Sequence, residues 1–159
     1  MSIVSREAEI AVRINEPTEI SAVALLGWHP DVQVLAMRSY CDRDGVVLLV
    51  VTTNATKAAH ILESAGFRCK ANPVLLIGPL GRSGLAAPIG LELARAGIEV
   101  LYSYSSRKDR EAYFLVFKTT EDVRAMRALA LSPTIRQAIN GDILSARADN
   151  RLGLSQQAA

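Results

Sequence analysis

The sequence predicts an α+β fold: two small antiparallel sheets in tandem, each with its helices on one face, and one further helix at the C-terminal end. Three observations lead there. The run VLAMRSYCDRDGVVLLVVTT, from Val34, returns as VLYSYSSRKDREAYFLVFKTT from Val100, 66 positions later. An amphipathic segment precedes each copy and another follows it, so the order helix, strand, strand, helix occurs twice. Two copies are too few for a solenoid, which needs at least about three repeats, and they indicate a duplicated small domain. Half of the 159 residues are hydrophobic and 21% are charged, a balance that supports a packed core and not a disordered chain.

Ile10, Val12 and Ile14 alternate with smaller or polar residues, the period of a first strand, which Asn15-Glu16-Pro17 stops. Pro17 suits a first helical turn, and TEISAVALL (18–26) continues as a helix that Gly27 and Pro30 end. A strand from Val32 to Tyr40 leads into the polar turn Cys41-Asp42-Arg43-Asp44-Gly45, whose Asp-Gly is a hairpin signal. Val46 to Val51 is apolar throughout, so both of its faces are expected to be covered and the strand to be central. Thr53 or Asn54 is placed to cap the helix ATKAAHILESA, with Ala58, Ile61, Leu62 and Ala65 on one face and Gly66 at its end.

The long extended segment RCKANPVLLIGPLG (68–81) reads as the last strand of copy one running into the first strand of copy two, with Pro73 restricting its pairing. Gly78-Pro79-Leu80-Gly81 forms a turn. A helix is expected from Arg82 to Ala96, with Leu85, Ile89, Leu93 and Ala96 inward and Gly97 as its terminator. Strands follow at Ile98–Ser105 and Glu111–Lys118 around the charged turn 106–110. Thr119-Thr120-Glu121-Asp122 then opens a helix with Val123, Met126, Arg127 and Ala130 along one side, and its capping and acidic residues suit the helix dipole. A closing strand should come next. Instead LSPTIRQAINGDILSA has a Ser-Pro start and helical spacing at Ile135, Ile139 and Ile143, which predicts an extra helix, and the polar stretch beyond about Ala146 reads as a mobile tail. The expected organisation is therefore 8–72, 73–131 and a C-terminal helix and tail over 132–159.

Composition excludes several function classes. The 18 basic and 16 acidic residues, net +2, are scattered along the chain without the clustered basic run of a nucleic-acid binder. Cys41 and Cys69 lack metal-ligand spacing with His29 and His60, so no metal is expected. Both cysteines fall in expected strands, where a free thiol acts as a small hydrophobe, and a reducing cytoplasm suits them. No segment resembles a signal peptide, and no run reaches the roughly 18–20 apolar residues of a spanning helix. A soluble, cytoplasmic protein is the expectation, with no membrane partner.

Strand, helix, strand, strand, helix, strand is the split βαβ arrangement. With VLLIGPLGRSGLAAPIGLELARAGI, IEVLYSYSSRKDREAYFLVFKT and TEDVRAMRAL in the second copy, and EIAVRINEPTEISAVALL through VVLLVVTTNATKAAHILESAGF in the first, the chain resembles the tandem ACT-domain proteins over roughly residues 8 to 130. That resemblance implies ferredoxin-like units and a small-molecule ligand, most often an amino acid, held between two domains against the loop from the first strand to the first helix. The matching residues in copy two are Gly81, Arg82, Ser83, Gly84 and Leu85. Glycine lets backbone approach a ligand, a helix N-terminus favours a carboxylate, and Ser83 is placed to cap the helix. Copy one offers Asn15 and Glu16 there, but Glu19 stands where Gly84 does and brings a negative charge, so the second loop is the preferred site.

Other residues carry weaker signals. Gly78, Gly81 and Gly84 lack the order and the Lys-Ser/Thr ending of a phosphate cradle, and they also fit a plain turn and helix start. Tyr102 and Tyr104 share a sheet face and suit packing against a neighbouring domain more than contact with a ligand. Trp28 and His29 suit surface or inter-domain packing, and Arg107, Lys108 and Arg110 a solvated hairpin tip. Ser83 has no histidine in its own copy to activate it, so no enzyme activity and no cofactor is expected. The leading function is an amino-acid or metabolite sensor that acts through a homodimer or another protein partner. A structural or assembly module with lapsed ligand loops is the alternative, and an enzyme on the same scaffold a third.

Overall fold

The computed structural model describes residues 3–15, 22–81, 84–107 and 112–141. They form an α+β fold with antiparallel sheet: β1 (Val4–Ile14), α1 (Ala22–Gly27), β2 (Val34–Asp42), β3 (Gly45–Thr52), α2 (Ala55–Ser64), β4 (Arg68–Leu80), α3 (Ala86–Arg95), β5 (Val100–Arg107), β6 (Tyr113–Thr119), α4 (Asp122–Leu131) and α5 (133–141). The chain divides into two compact units. The first is Arg6–Val74, and the second combines Leu75–Ala159 with Met1–Ser5. Two strands are thus shared out along their length: β1 passes from the second unit into the first at Ser5–Arg6, and β4 from the first into the second at Val74–Leu75.

The first unit has the strand order β2-β3-β1-β4. β3 pairs antiparallel with β2 on one side (Tyr40 with Val47, Arg38 with Leu49) and with β1 on the other (Arg13 with Val47, Val12 with Leu48). The uniformly apolar run is central, as its composition predicts. Because side chains alternate, Ile10, Val12 and Ile14 face one way with Leu48 and Val50, and with Leu26 of α1 and Ala58 and Leu62 of α2 they form the core of this unit. Asn54 caps α2 by accepting the Lys57 N–H at 3.0 Å.

In the second unit β4, β6 and β5 are neighbours in that order, with Leu75 opposite Phe117, Ile77 opposite Leu115 and Ser103 opposite Phe117. The position of a closing strand, beside β4 and away from β6, is taken by the N-terminal end of the chain: the Gly78 N–H donates to the Ile3 carbonyl at 2.9 Å. Ile3 and Val4 also pack against this unit's core of Leu75, Ile77, Leu93, Leu115 and Leu129. The helix expected in place of a closing strand is α5, which buries Ile135 and Ile139 in the same core. Ile143 and the expected tail lie outside the described residues.

Two helices differ from the sequence expectation. α3 begins at Ala86, four residues later than Arg82, because Pro88 has no N–H and a helix from Arg82 would hold it in the interior, at a cost of roughly 3 kcal/mol. α4 is rotated relative to its expected face. Asp122, Ala125 and Leu129 are buried while Val123 is 65% exposed and Arg127 and Ala130 are also exposed. The Thr119 hydroxyl donates to Asp122 Oδ1 at 2.7 Å in a buried contact, which turns Asp122 inward and fixes the phase of the residues three and seven positions on. Cys69 is half-buried, but Cys41 is exposed, so only one of the two thiols serves as a hydrophobe.

Aligning the two similar runs of sequence points to an orphaned group. Thr52-Thr53-Asn54-Ala55 aligns with Thr119-Thr120-Glu121-Asp122, and at the position of the acceptor Asp122 the first unit has Ala55. The buried Thr52 hydroxyl finds no hydrogen-bond partner among the described residues. Thr52→Val should therefore raise the stability by about 1 kcal/mol, whereas Thr119→Val should lower it by a similar amount, since that change removes a hydrogen bond to the buried Asp122 carboxylate. Urea midpoints of the two variants check the opposite signs.

Candidate functional site

The loop from β4 to α3 is built around its backbone. Leu80 is buried and returns the chain to the core, Gly81 is half-buried, Gly84 is exposed, and Leu85 is buried immediately before α3. A Cβ at Gly84 would meet nothing within 4 Å, so there is open space at this position. Leu85 is the residue preceding the helix, and no side-chain hydrogen bond caps α3 there. Ser83, the expected cap, lies with Arg82 outside the described residues. Leu85, Ile89 and Leu93 are all buried, so the helix is anchored from beneath while its first-turn N–H groups carry the positive end of the dipole.

Tyr102 and Tyr104 are both half-buried and share one face of β5, as their spacing predicts. Their partners across the sheet are Lys118 and Val116, and Val116 is in turn opposite Leu76. That face is opposite to the one carrying Leu115 and Phe117, which belong to the helix-side core. Leu76 also lies five residues before Gly81, a run of about 16 Å along an extended strand. The two tyrosines and the β4–α3 loop are therefore not brought together; the strand end that opens on the loop carries Arg107, whose guanidinium lies 5.4 Å from the Tyr113 ring centre.

Asn15 belongs to the other unit, where it lines a groove of about 620 Å³ on the sheet face away from α1 and α2. Glu16 lies outside the described residues. The groove was not foreseen, because its charges are distant in sequence. Arg13 of β1 and Tyr40 of β2 are both opposite Val47, so the three share one row across the sheet. From β4, Arg68, Lys70 and Asn72 add to the same groove, their spacing of two placing them on one side of the strand. Period-2 basic residues on neighbouring strands were the available signal.

Arg13 is held in place by Asp42, with Nη1 donating to Oδ1 at 2.6 Å, and Asp42 also accepts the Asp44 N–H at 2.9 Å. The Arg13 hydrogen bond, with help from the Asp44 N–H, holds the Asp42 carboxyl below the usual carboxylate range. A depressed folded-state pKa contributes stability above the unfolded value of about 3.9, and that contribution disappears as pH falls through the folded value. Asp42→Asn should accordingly flatten the acid limb of the stability curve below about pH 4 and leave the slope near neutrality unchanged, as urea midpoints across that range will read. The pair is partly exposed, so the effect is small.

Other chemistry finds little footing. Among the described residues no group of three or more His, Cys, Asp or Glu side chains is placed to hold a metal ion, and no helix is long and apolar enough to cross a membrane. Burial, with Glu63 nearby, pushes the Cys69 thiol up, which makes it a poor nucleophile near neutral pH.

No family model matches the sequence, and no curated protein matches it. Solved structures do. Protein BT0572 from Bacteroides thetaiotaomicron superposes with a TM-score of 0.63 at 16% identity, over 80% of this chain and 88% of that one. The ligand-free regulatory subunit of aspartate kinase from Thermus thermophilus gives a TM-score of 0.50 at 14% identity, over 79% and 93%. At such identities the likeness is one of fold, and the expected resemblance is met at that level alone.

Proposed function

We propose that the two units are a tandem pair of ferredoxin-like, ACT-type modules and that the chain is a regulatory sensor of an amino acid or a related carboxylate metabolite, not an enzyme. The ligand sits against Gly81, Arg82, Ser83, Gly84 and Leu85 of the second unit, its carboxylate on the first-turn N–H groups of α3. Asn15 and Glu16 occupy the corresponding loop of the first unit and play a lesser part. Tyr102 and Tyr104 serve as a packing face. Binding favours one arrangement of the protein over another, and the state is passed to a partner protein or to a second copy in a cytoplasmic homodimer, to the extent that the ligand binds the two arrangements differently.

The observation that carries this reading is the start of α3: a helix without a side-chain cap, entered through glycines with open space at Gly84, in a fold like that of a regulatory subunit. Oriented N–H groups at such a terminus suit a carboxylate. A thermal-shift screen against the twenty amino acids tests it. One of them should raise the melting temperature, since ligand at 100 times its Kd adds about 2.7 kcal/mol. Gly84→Asp should weaken that ligand by about tenfold or more by placing a like charge at the carboxylate, with the unliganded melting temperature kept because the site has room for a side chain. Absence of a shift with every amino acid would favour an assembly module instead.

A further inference from the structure

We infer that the groove on the open sheet face of the first unit is a second ligand site, which binds a multiply charged oxyanion group of a small metabolite. Its volume, about 620 Å³, falls within the roughly 300–1,000 Å³ of small-molecule sites. Three basic side chains, Arg13, Arg68 and Lys70, line it against one acidic side chain, Asp44. Only Arg13 is neutralised by a carboxylate, that of Asp42. Arg68 and Lys70 have no ion-pair partner among the described residues and are exposed.

The geometry suits an oxyanion better than a single charge. Arg13 is fixed in orientation by Asp42, and a guanidinium fork matches the two-oxygen edge of a phosphate or carboxylate. Arg68 and Lys70 are two residues apart on one side of β4, so their charges converge on the same space. The half-buried carboxamide of Asn72 adds a neutral donor, and the buried Val47 gives an apolar floor. A concave groove with one excess sign of charge concentrates ligands of the opposite sign. Apart from Asn15, which lines the groove and has only a lesser part in the proposed amino-acid site, this site shares no residue with the β4–α3 loop and does not depend on that loop binding anything.

Isothermal titration with pyrophosphate and with citrate, each against sodium chloride at matched ionic strength, tests the inference on the intact protein. Saturable binding of at least one is expected, and the preferred one distinguishes phosphate from polycarboxylate chemistry. Arg68→Gln with Lys70→Gln should weaken it at least tenfold, with circular dichroism unchanged because both side chains are exposed. Should that pair of changes disturb folding, Asn72→Asp supplies an independent test and should also weaken binding. Gly84→Asp should leave it intact. Binding no better than chloride, binding unaffected by the Arg68, Lys70 and Asn72 changes, or loss on Gly84→Asp would each overturn the assignment.

Discussion

Replacing Gly78 by alanine should cost about 3–4 kcal/mol, a large share of the roughly 5–15 kcal/mol by which a domain is stable. Gly78 has φ +151, a backbone conformation that residues with a Cβ rarely adopt, and forcing a side chain into it costs about 1–3 kcal/mol. Space adds a second penalty. A Cβ there would lie 2.7 Å from Phe114 Cδ1 and 2.8 Å from the Tyr113 carbonyl oxygen. The ring has some freedom, but the carbonyl belongs to β6 next to the Leu80–Tyr113 pair and moves only if the ladder does. Overpacking of this kind typically costs 1–3 kcal/mol. Gly84→Ala is the control: with nothing within 4 Å of its Cβ, it should change stability by less than about 0.5 kcal/mol. Guanidinium unfolding of the pair checks the contrast. A loss below about 1 kcal/mol at Gly78 would mean that the β4–β6 bulge relaxes freely.

The contrast between these glycines marks how far the sequence was legible. Periodicity identified the strands because one face of each is buried: Ile10, Val12 and Ile14 point into the core, and β3 is apolar throughout because it is central. The hairpins β2–β3 and β5–β6 and the helix α5 were readable for the same reason. What a single segment cannot reveal is its partner. Nothing about Ile3 and Val4 says that they complete a sheet with residues more than 70 positions away, and the failure of the second copy to supply its own closing strand was only half of that information. Pro88 is a different case: its missing N–H was an available signal for the start of α3, which the expectation of a helix from Arg82 did not take into account. The β4–α3 loop could be named from its glycines. The groove on the other unit could not, since Arg13, Arg68 and Lys70 become neighbours only through strand pairing.

Deleting residues 1–5 tests the partnership that the sequence concealed. The N-terminal segment satisfies the Gly78 N–H through the Ile3 carbonyl and lays Ile3 and Val4 on the core of the second unit. The two half-buried aliphatic side chains contribute about 1 kcal/mol each at roughly 25 cal/mol per Å², and the hydrogen bond about 1 kcal/mol more. A loss near 3 kcal/mol follows. Its location is the sharper prediction: the core formed by Leu75, Ile77, Leu115 and Leu129 loses its cover, while the first unit keeps all four of its strand segments, because its share of β1 begins at Arg6. Hydrogen exchange should therefore quicken most at residues 75–80 of β4 and in β6, with β2 and β3 little changed. The uncovered edge of β4 also presents unpaired N–H and C=O groups, so the truncated protein should self-associate at concentrations where the intact chain does not. Uniform acceleration across both units would show that they unfold as one cooperative body, and unchanged exchange at residues 75–80 would show that the N-terminal segment is dispensable to the second sheet.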